Sequence, residues 1–120
     1  MAAKEKLGSA KIIRALSFWR NVTQTALEQM PVDLSARQTA VMLTVYLMPA
    51  PHSIKSLADG LQISKPAVCR AIDALENSKL VKRARDRHDN RNVLIGRTAK
   101  GSTYLNELAD IILSMSKDAA

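Results

Sequence analysis

The 120-residue sequence is poor in several residue types, and each scarcity excludes a class of protein. Its single cysteine, Cys69, leaves no partner for an intramolecular disulfide, which excludes a small disulfide-stapled domain. The four aromatic residues, Phe18, Trp19, Tyr46 and Tyr104, are too few for an aromatic-rich β-sandwich. No apolar run reaches the roughly 18 to 20 residues that span a bilayer, and the first residues lack a signal-peptide apolar core. We therefore expect a cytoplasmic protein.

The basic residues are concentrated in one part of the chain. Residues 64–100 hold ten of the eighteen Lys and Arg but four of the eleven Asp and Glu, which gives +6 of the total net charge of +7. Because a confined basic field attracts polyanions, nucleic acid is the first candidate partner and an anionic membrane surface the second.

Apolar spacing, caps and breakers predict five helices and one two-stranded hairpin in one compact domain over residues 1–120. The predicted helices are a long one over about 9–30, a second to about residue 48, two short ones that begin near residues 54 and 64, and a last one over about 98–117. Residues 80–85 and 92–98 are predicted to be strands, because β-branched residues alternate in the second. The first and last helices each carry a heptad-like apolar seam.

Two short helices followed by a hairpin form a winged helix-turn-helix, so the predicted fold class is mainly α with a small β-hairpin. The decapeptide RARDRHDNRN, residues 83–92, overlaps the turn of this hairpin and is predicted to be the wing. The DNA-binding part would occupy about residues 35–98.

The fourth helix is predicted to read DNA, since it combines an apolar stripe of Val68, Ile72 and Leu75 with a polar face. Arg70 is the candidate for a base-edge contact, and the helix start suits a phosphate. The alternative is that Arg70 forms a solvated pair with an acid of the same helix, Asp73 or Glu76. The residues assigned to the outward face are Ser64, Lys65, Ala67, Cys69 and Arg70.

The wing is predicted to carry an oriented arginine. Asp89 lies two residues before Arg91, so its carboxylate can hold the guanidinium for entry into a narrow minor groove. The alternative is that these cations serve only solubility. The expected phosphate contacts are Lys82, Arg83, Arg85 and Arg87.

Residues 35–101 resemble the MarR family of bacterial transcriptional regulators. The resemblance rests on Leu57-Ala58, Ser64, Pro66-Ala67-Val68, Arg70, Ile72-Asp73, Leu75-Glu76, Leu80-Val81, Arg83, Arg85-Asp86, Asp89, Arg91, Val93-Leu94 and Thr98 to Gly101. It implies a homodimer, joined by the N- and C-terminal helices, that binds pseudo-palindromic double-stranded DNA. It also implies a repressor that a small lipophilic or aromatic effector releases from DNA.

The sequence departs from the family pattern at three places. Gln62 replaces a glycine common in the turn between the short helices, and Arg97 replaces an apolar residue before Thr98. We expect the usual final helix to be abbreviated or absent. Cys69 is interpreted as a small side chain against DNA rather than an oxidant sensor. Trp19 and Tyr46 are interpreted as core or dimer-interface residues, although either could line a ligand cleft.

No catalytic, metal or cofactor site is predicted. His52 and His88 lie far apart and neither has neighbouring ligands at metal spacing, so His52 is interpreted as a loop or strand-edge residue and His88 as a solvated wing residue. The predicted function is sequence-specific regulation of transcription through double-stranded DNA, without enzymatic activity and without a membrane partner. The alternatives are a winged-helix protein-interaction module and a sequence-independent nucleic-acid-binding protein.

Overall fold

A computed structural model describes residues 7–89 and 91–119, with side chains to residue 117. The described helices are α1 (Ala10–Gln29), α2 (Ala36–Leu47), α3 (Ile54–Leu61), α4 (Lys65–Asn77) and α5 (Ala99–Ala119), and the strands are β1 (Val81–Arg85) and β2 (Val93–Arg97). This order confirms the predicted fold class, with bounds that differ from the predicted ones by one or two residues at most ends. Asn90, inside the predicted wing, lies outside the described residues.

The chain divides into two compact units. One is Leu34–Leu105, which holds α2, α3, α4, the hairpin and the start of α5; the other holds α1 and the chain from Asn106 onward. The predicted DNA-binding part, residues 35–98, falls inside the first unit. The expectation of one domain over residues 1–120 stays a prediction.

Hydroxyl caps define where the helices begin. Ser9, Ser35, Ser53 and Ser64 precede α1 to α4, and each side chain accepts a hydrogen bond from the backbone N–H three residues later. Such a cap contributes about 1 kcal/mol because it satisfies an N–H group that has no partner within the helix. The helix starts were therefore predictable from single residues.

Helix α4 lies at the centre of the winged unit, where it packs against α2, α3 and β1. Val68, Ile72 and Leu75 are fully buried, which confirms the predicted apolar stripe. The other fully buried side chains of this unit are Val41, Met42, Val45, Leu57, Leu80 and Val81.

The hairpin is antiparallel and extends to a third segment. Val81 pairs with Arg97 and Arg85 pairs with Val93 at its two ends. Ser53 forms an isolated bridge with Leu94, and the carbonyl of His52 accepts the N–H of Ile95 at 2.8 Å. His52 is thus a buried strand-edge residue, and its Nε2 lies 3.1 Å from the Met48 carbonyl oxygen.

Gln62 ends α3 in the left-handed conformation, with φ 57°. A residue with a Cβ pays about 1 kcal/mol for this backbone, as predicted from the absence of glycine at this position. The Gln62 side-chain amide donates to the Asp59 carbonyl at 2.8 Å, which partly offsets the cost.

Tyr46 joins α2 to the base of the hairpin, where the chain enters β1 and leaves β2. Its hydroxyl donates to the Leu80 carbonyl at 2.6 Å and accepts the Thr98 N–H at 3.0 Å. The Thr98 hydroxyl in turn accepts the Gly101 N–H at 2.9 Å and begins α5. Tyr46 is 9% exposed, which favours the core interpretation over the ligand cleft.

Gly101 is expected to be intolerant of any side chain, because a Cβ there would overlap the Tyr46 hydroxyl and the Leu80 carbonyl oxygen. We expect Gly101→Ala to lower the free energy of unfolding by about 3 kcal/mol, the upper range for a forced core contact. The measurement is denaturant unfolding at one fixed protein concentration.

Gly60→Ala is the matched control, since a Cβ on this α3 residue has no heavy atom within 4 Å. It should raise stability by up to about 1 kcal/mol, because alanine favours a helix over glycine. If Gly101→Ala and Gly60→Ala were equally stable, the close approach of Tyr46 to Gly101 would not contribute to stability as we expect.

Candidate nucleic-acid interface

The solvent side of α4 and its cap carries four of the five contact residues predicted for this helix. Ser64, Lys65 and Arg70 are exposed, and Cys69 is half-buried with a free thiol. The Ser64 oxygen accepts the Ala67 N–H at 3.2 Å, which leaves its O–H proton available to a phosphate. The helix therefore presents short polar and cationic groups at its N-terminal end.

Ala67 does not belong to this surface, and its predicted outward position was wrong. It is 4% exposed, as is expected from its spacing of four residues before the buried Ala71. Ala67 and Ala71 thus widen the buried stripe of Val68 and Ile72 rather than face solvent.

Arg83 of β1 forms ion pairs with both acidic residues of α4, Asp73 and Glu76. Its guanidinium lies 2.6 Å from Asp73 Oδ1 and 2.6 Å from Glu76 Oε1, and its backbone N–H donates to Glu76 Oε2 at 3.1 Å. The hydrogen bond to Asp73 and then that to Glu76 raise the pKa of Arg83, against the opposing effect of partial burial. These contacts fasten the base of the wing to α4.

The predicted phosphate contact of Arg83 is therefore corrected to an internal ion-pair network, with a side chain 30% exposed. The sequence contained a signal for this. Arg83 is two residues from the buried Val81, and residues two apart in a strand share a face. Arg83 consequently points toward the helix on which Val81 packs.

Arg70 is left without an acidic partner by this network. The alternative, in which Arg70 pairs with Asp73 or Glu76, is not realised, because Arg83 holds both acids. Within residues 7–89 and 91–117, no carboxylate lies within ion-pair distance of the Arg70 guanidinium. Arg70 remains an exposed cation near the start of α4.

The wing arginine is oriented as predicted. Asp89 Oδ1 accepts both the backbone N–H and the Nε–H of Arg91 at 3.1 Å, while the Arg91 side chain stays 91% exposed. The side-chain and backbone hydrogen bonds from Arg91 lower the pKa of Asp89. Asp86 shapes the same loop, since its carboxylate accepts the His88 N–H at 2.9 Å.

The remaining predicted phosphate contacts, Lys82, Arg85 and Arg87, are exposed on or beside the hairpin. Arg97 has a different place. Its Nε donates to the Val45 carbonyl at 3.2 Å, and its guanidinium carbon lies 5.9 Å from the centre of the Tyr46 ring. Arg97, which replaces an apolar residue of the family pattern, thus caps the C-terminal end of α2.

An open groove of about 620 Å³ lies between the start of α3 and the wing, and Lys55, Lys65 and Arg91 contribute to its lining. Lys55 was absent from the predicted contact residues. Its place in the first turn of α3 was predictable, but its proximity to the wing depends on tertiary structure.

Among the described residues there is no group of three or more His, Cys, Asp or Glu side chains that could hold a metal ion. The same part of the chain contains no helix long and apolar enough to cross a membrane.

Known proteins with similar sequence and structure were compared with this chain. The profile of the MarR family matches residues 32–92. The S. aureus MepR–DNA complex is 24% identical, with a TM-score of 0.76 over 91% of this chain and 88% of that one. B. subtilis YusO is 17% identical, with a TM-score of 0.74 over 88% of this chain and 74% of that one.

A third solved structure is that of Bordetella bronchiseptica BpsR, whose DNA binding is regulated by 6-hydroxynicotinic acid. It is 19% identical, with a TM-score of 0.66 over 99% of this chain and 82% of that one. At these identities the structural likeness establishes the fold. The profile match covers half of the sequence, and the chain belongs to the MarR family of winged helix-turn-helix transcriptional regulators.

Proposed function

We propose that the chain acts as a homodimer on a pseudo-palindromic operator, with α4 in the major groove and the wing directed to the minor groove. The observation that carries this proposal is the distribution of charge on α4. Arg83 engages Asp73 and Glu76, so the exposed Lys65 and Arg70 face solvent without a competing carboxylate from their own helix.

Arg70 is assigned to base edges and Arg91 to the minor groove. A planar guanidinium can donate two hydrogen bonds to guanine, which discriminates by about 1 to 3 kcal/mol. Arg91 is already oriented by Asp89, so its insertion into a narrow groove would cost less conformational entropy. Lys82, Arg85 and Arg87 are assigned to phosphates around the wing.

The homodimer is supported by apolar surface on the first helix. Ile12, Leu16 and Trp19 of the predicted seam are 48%, 49% and 57% exposed in the single chain. A row of large apolar side chains at helical spacing is typical of a helix that packs against a partner. We assign this face of α1 to the dimer interface, and Leu108, Ile112 and Met115 on α5 are its proposed counterparts.

The regulatory role is proposed to be repression in the cytoplasm, without enzymatic activity. A small lipophilic or aromatic effector would release the DNA. BpsR offers the analogy, because 6-hydroxynicotinic acid regulates its DNA binding.

The test of the proposed function is a binding assay on duplexes selected from a random pool, with excess random competitor DNA. Specific regulation survives the competitor, sequence-independent binding does not, and a protein-interaction module scarcely binds either duplex.

DNA binding should depend steeply on salt. A dimer that neutralises about six to ten phosphates should lose about 10³ to 10⁵ in affinity between about 50 and 200 mM salt, since each contact releases counterions. Titration by fluorescence anisotropy across this range measures the slope. A flat response would reject a phosphate-based interface.

Arg91→Ala and Arg70→Ala should weaken binding in different ways. Arg91→Ala removes the wing contact and should lower affinity without dissociating the dimer. Arg70→Ala should also relax base preference at one position of each half-site, by about 1 to 3 kcal/mol. Affinity for the operator and for its single-base variants separates the two effects, with dimer mass checked by light scattering. If both variants bound DNA with wild-type affinity, the assignments of Arg70 to base edges and of Arg91 to the minor groove would be wrong.

Arg83→Met should distinguish an internal anchor from a phosphate contact. Arg83→Met is made in an Asp73→Asn, Glu76→Gln background, so that no freed carboxylate pairs with Arg70 or repels the DNA. Because Arg83 is held inside the fold, its loss should reduce affinity through wing position, while the slope of log affinity against log salt stays at the value of that background. Arg87→Met is the matched control on the exposed wing, and it should reduce the slope by about 1 for each protomer. If Arg83→Met and Arg87→Met reduced the salt slope equally, Arg83 would contact a phosphate after all.

A further inference from the structure

The groove between α3 and the wing brings together cations from three separate elements. Lys55 comes from the first turn of α3, Lys65 from the first turn of α4, and Arg91 from the wing. Asp86 is the acidic residue in the same lining. Three positive groups and one negative group therefore surround an open space of about 620 Å³.

The pairs that these cations form within the chain are weak. Lys55 Nζ lies 2.8 Å from Asp59 Oδ2, but both side chains are about two-thirds exposed or more. The Arg91 pair with Asp89 leaves the arginine almost fully exposed. Solvent screens such pairs, so they do not prevent the cations from contacting a phosphate as well.

The walls of the groove also supply hydroxyl groups. The Ser53 side-chain oxygen accepts the Ser56 N–H at 3.0 Å, and the Ser56 side-chain oxygen accepts the Ser53 N–H at 2.9 Å. The Ser56 hydroxyl donates to the Ser53 carbonyl at 3.1 Å. The Ser53 oxygen is an acceptor in this arrangement, so its own proton can be donated to a ligand oxygen. A hydroxyl beside converging cations suits an oxyanion.

From these observations we infer that the groove holds a backbone phosphate of the bound duplex, and that Lys55 is a DNA-contacting residue. The inference rests on the proposed function, which already assigns Lys65 and Arg91 to the same duplex. A strand that reaches both residues passes the groove between them, and an open channel suits a continuous strand better than a small enclosed molecule. Asp86 opposes this phosphate, although it also shapes the wing loop.

The test uses the full chain and two duplexes, an operator selected from a random pool and an unselected random duplex. Lys55→Ala is made in an Asp59→Asn background, so that no freed carboxylate repels the DNA. We expect about tenfold weaker binding of both duplexes by the dimer, and a salt slope smaller by about 2, one contact for each protomer. Lys117→Ala, outside the winged unit, is the matched control and should leave both quantities unchanged.

Asp86→Asn should strengthen DNA binding, whereas Lys55→Ala should weaken it. Asparagine keeps an oxygen that can accept the His88 N–H, but it removes the negative charge from the groove. We expect binding of both duplexes to become about three- to tenfold tighter, since an opposing charge near a phosphate is lost. A circular dichroism melt of each variant checks that the fold is retained.

An unchanged salt slope in Lys55→Ala, or weaker binding in Asp86→Asn with the melt unaltered, overturns the inference. The proposed function fails separately if the wild-type protein does not prefer the selected operator to random duplex. In that outcome a reduced slope in Lys55→Ala on random DNA still supports the groove. If the wild-type protein prefers the operator but Lys55→Ala changes neither affinity nor salt slope, the phosphate contact in the groove is rejected and the proposed function stands.

Discussion

The link between Arg83 and the two carboxylates of α4 determines what the wing can do. A two-stranded hairpin is marginal by itself and needs packing or bonding to hold one orientation. Val81 supplies the packing, and the guanidinium and backbone N–H of Arg83 supply directed bonds to Asp73 and Glu76. The helix and the base of the wing are consequently joined both by packing and by directed bonds.

The base of the hairpin is also held by a second interaction, which comes from α2. Tyr46 reaches from α2 to the carbonyl of Leu80 and the N–H of Thr98, which flank the Val81–Arg97 pair at this base. A hydroxyl in this position can approach the backbone only because residue 101 has no side chain. Arg97 adds a bond from β2 back to α2. The wing is thus anchored to α4 by charge and to α2 by neutral hydrogen bonds.

Much of the fold was predictable because local chemistry determines it. Each helix begins at a serine or threonine cap, and the buried stripe of α4 follows from helical spacing. Lys82, Arg83 and Arg85, by contrast, carry the same charge. Alternation along the strand separates the internal Arg83 from the exposed Lys82, but Arg85 shares the face of Arg83 and is also exposed, so the sequence alone does not single out Arg83. Ala67 was misplaced for a related reason, since a small residue carries no hydropathy signal that distinguishes two faces of a helix.

The net charge of the basic segment does not describe how its individual cations are held. Arg83 neutralises acids inside the fold, Arg97 bonds to α2, and Arg91 is restrained by Asp89 while it stays exposed. A uniformly solvated set of ten cations would attract any polyanion, whereas cations restrained by internal acids have defined positions. The acidic residues of this segment reduce the total charge, but they also decide that Arg83 faces inward and how the exposed Arg91 is oriented.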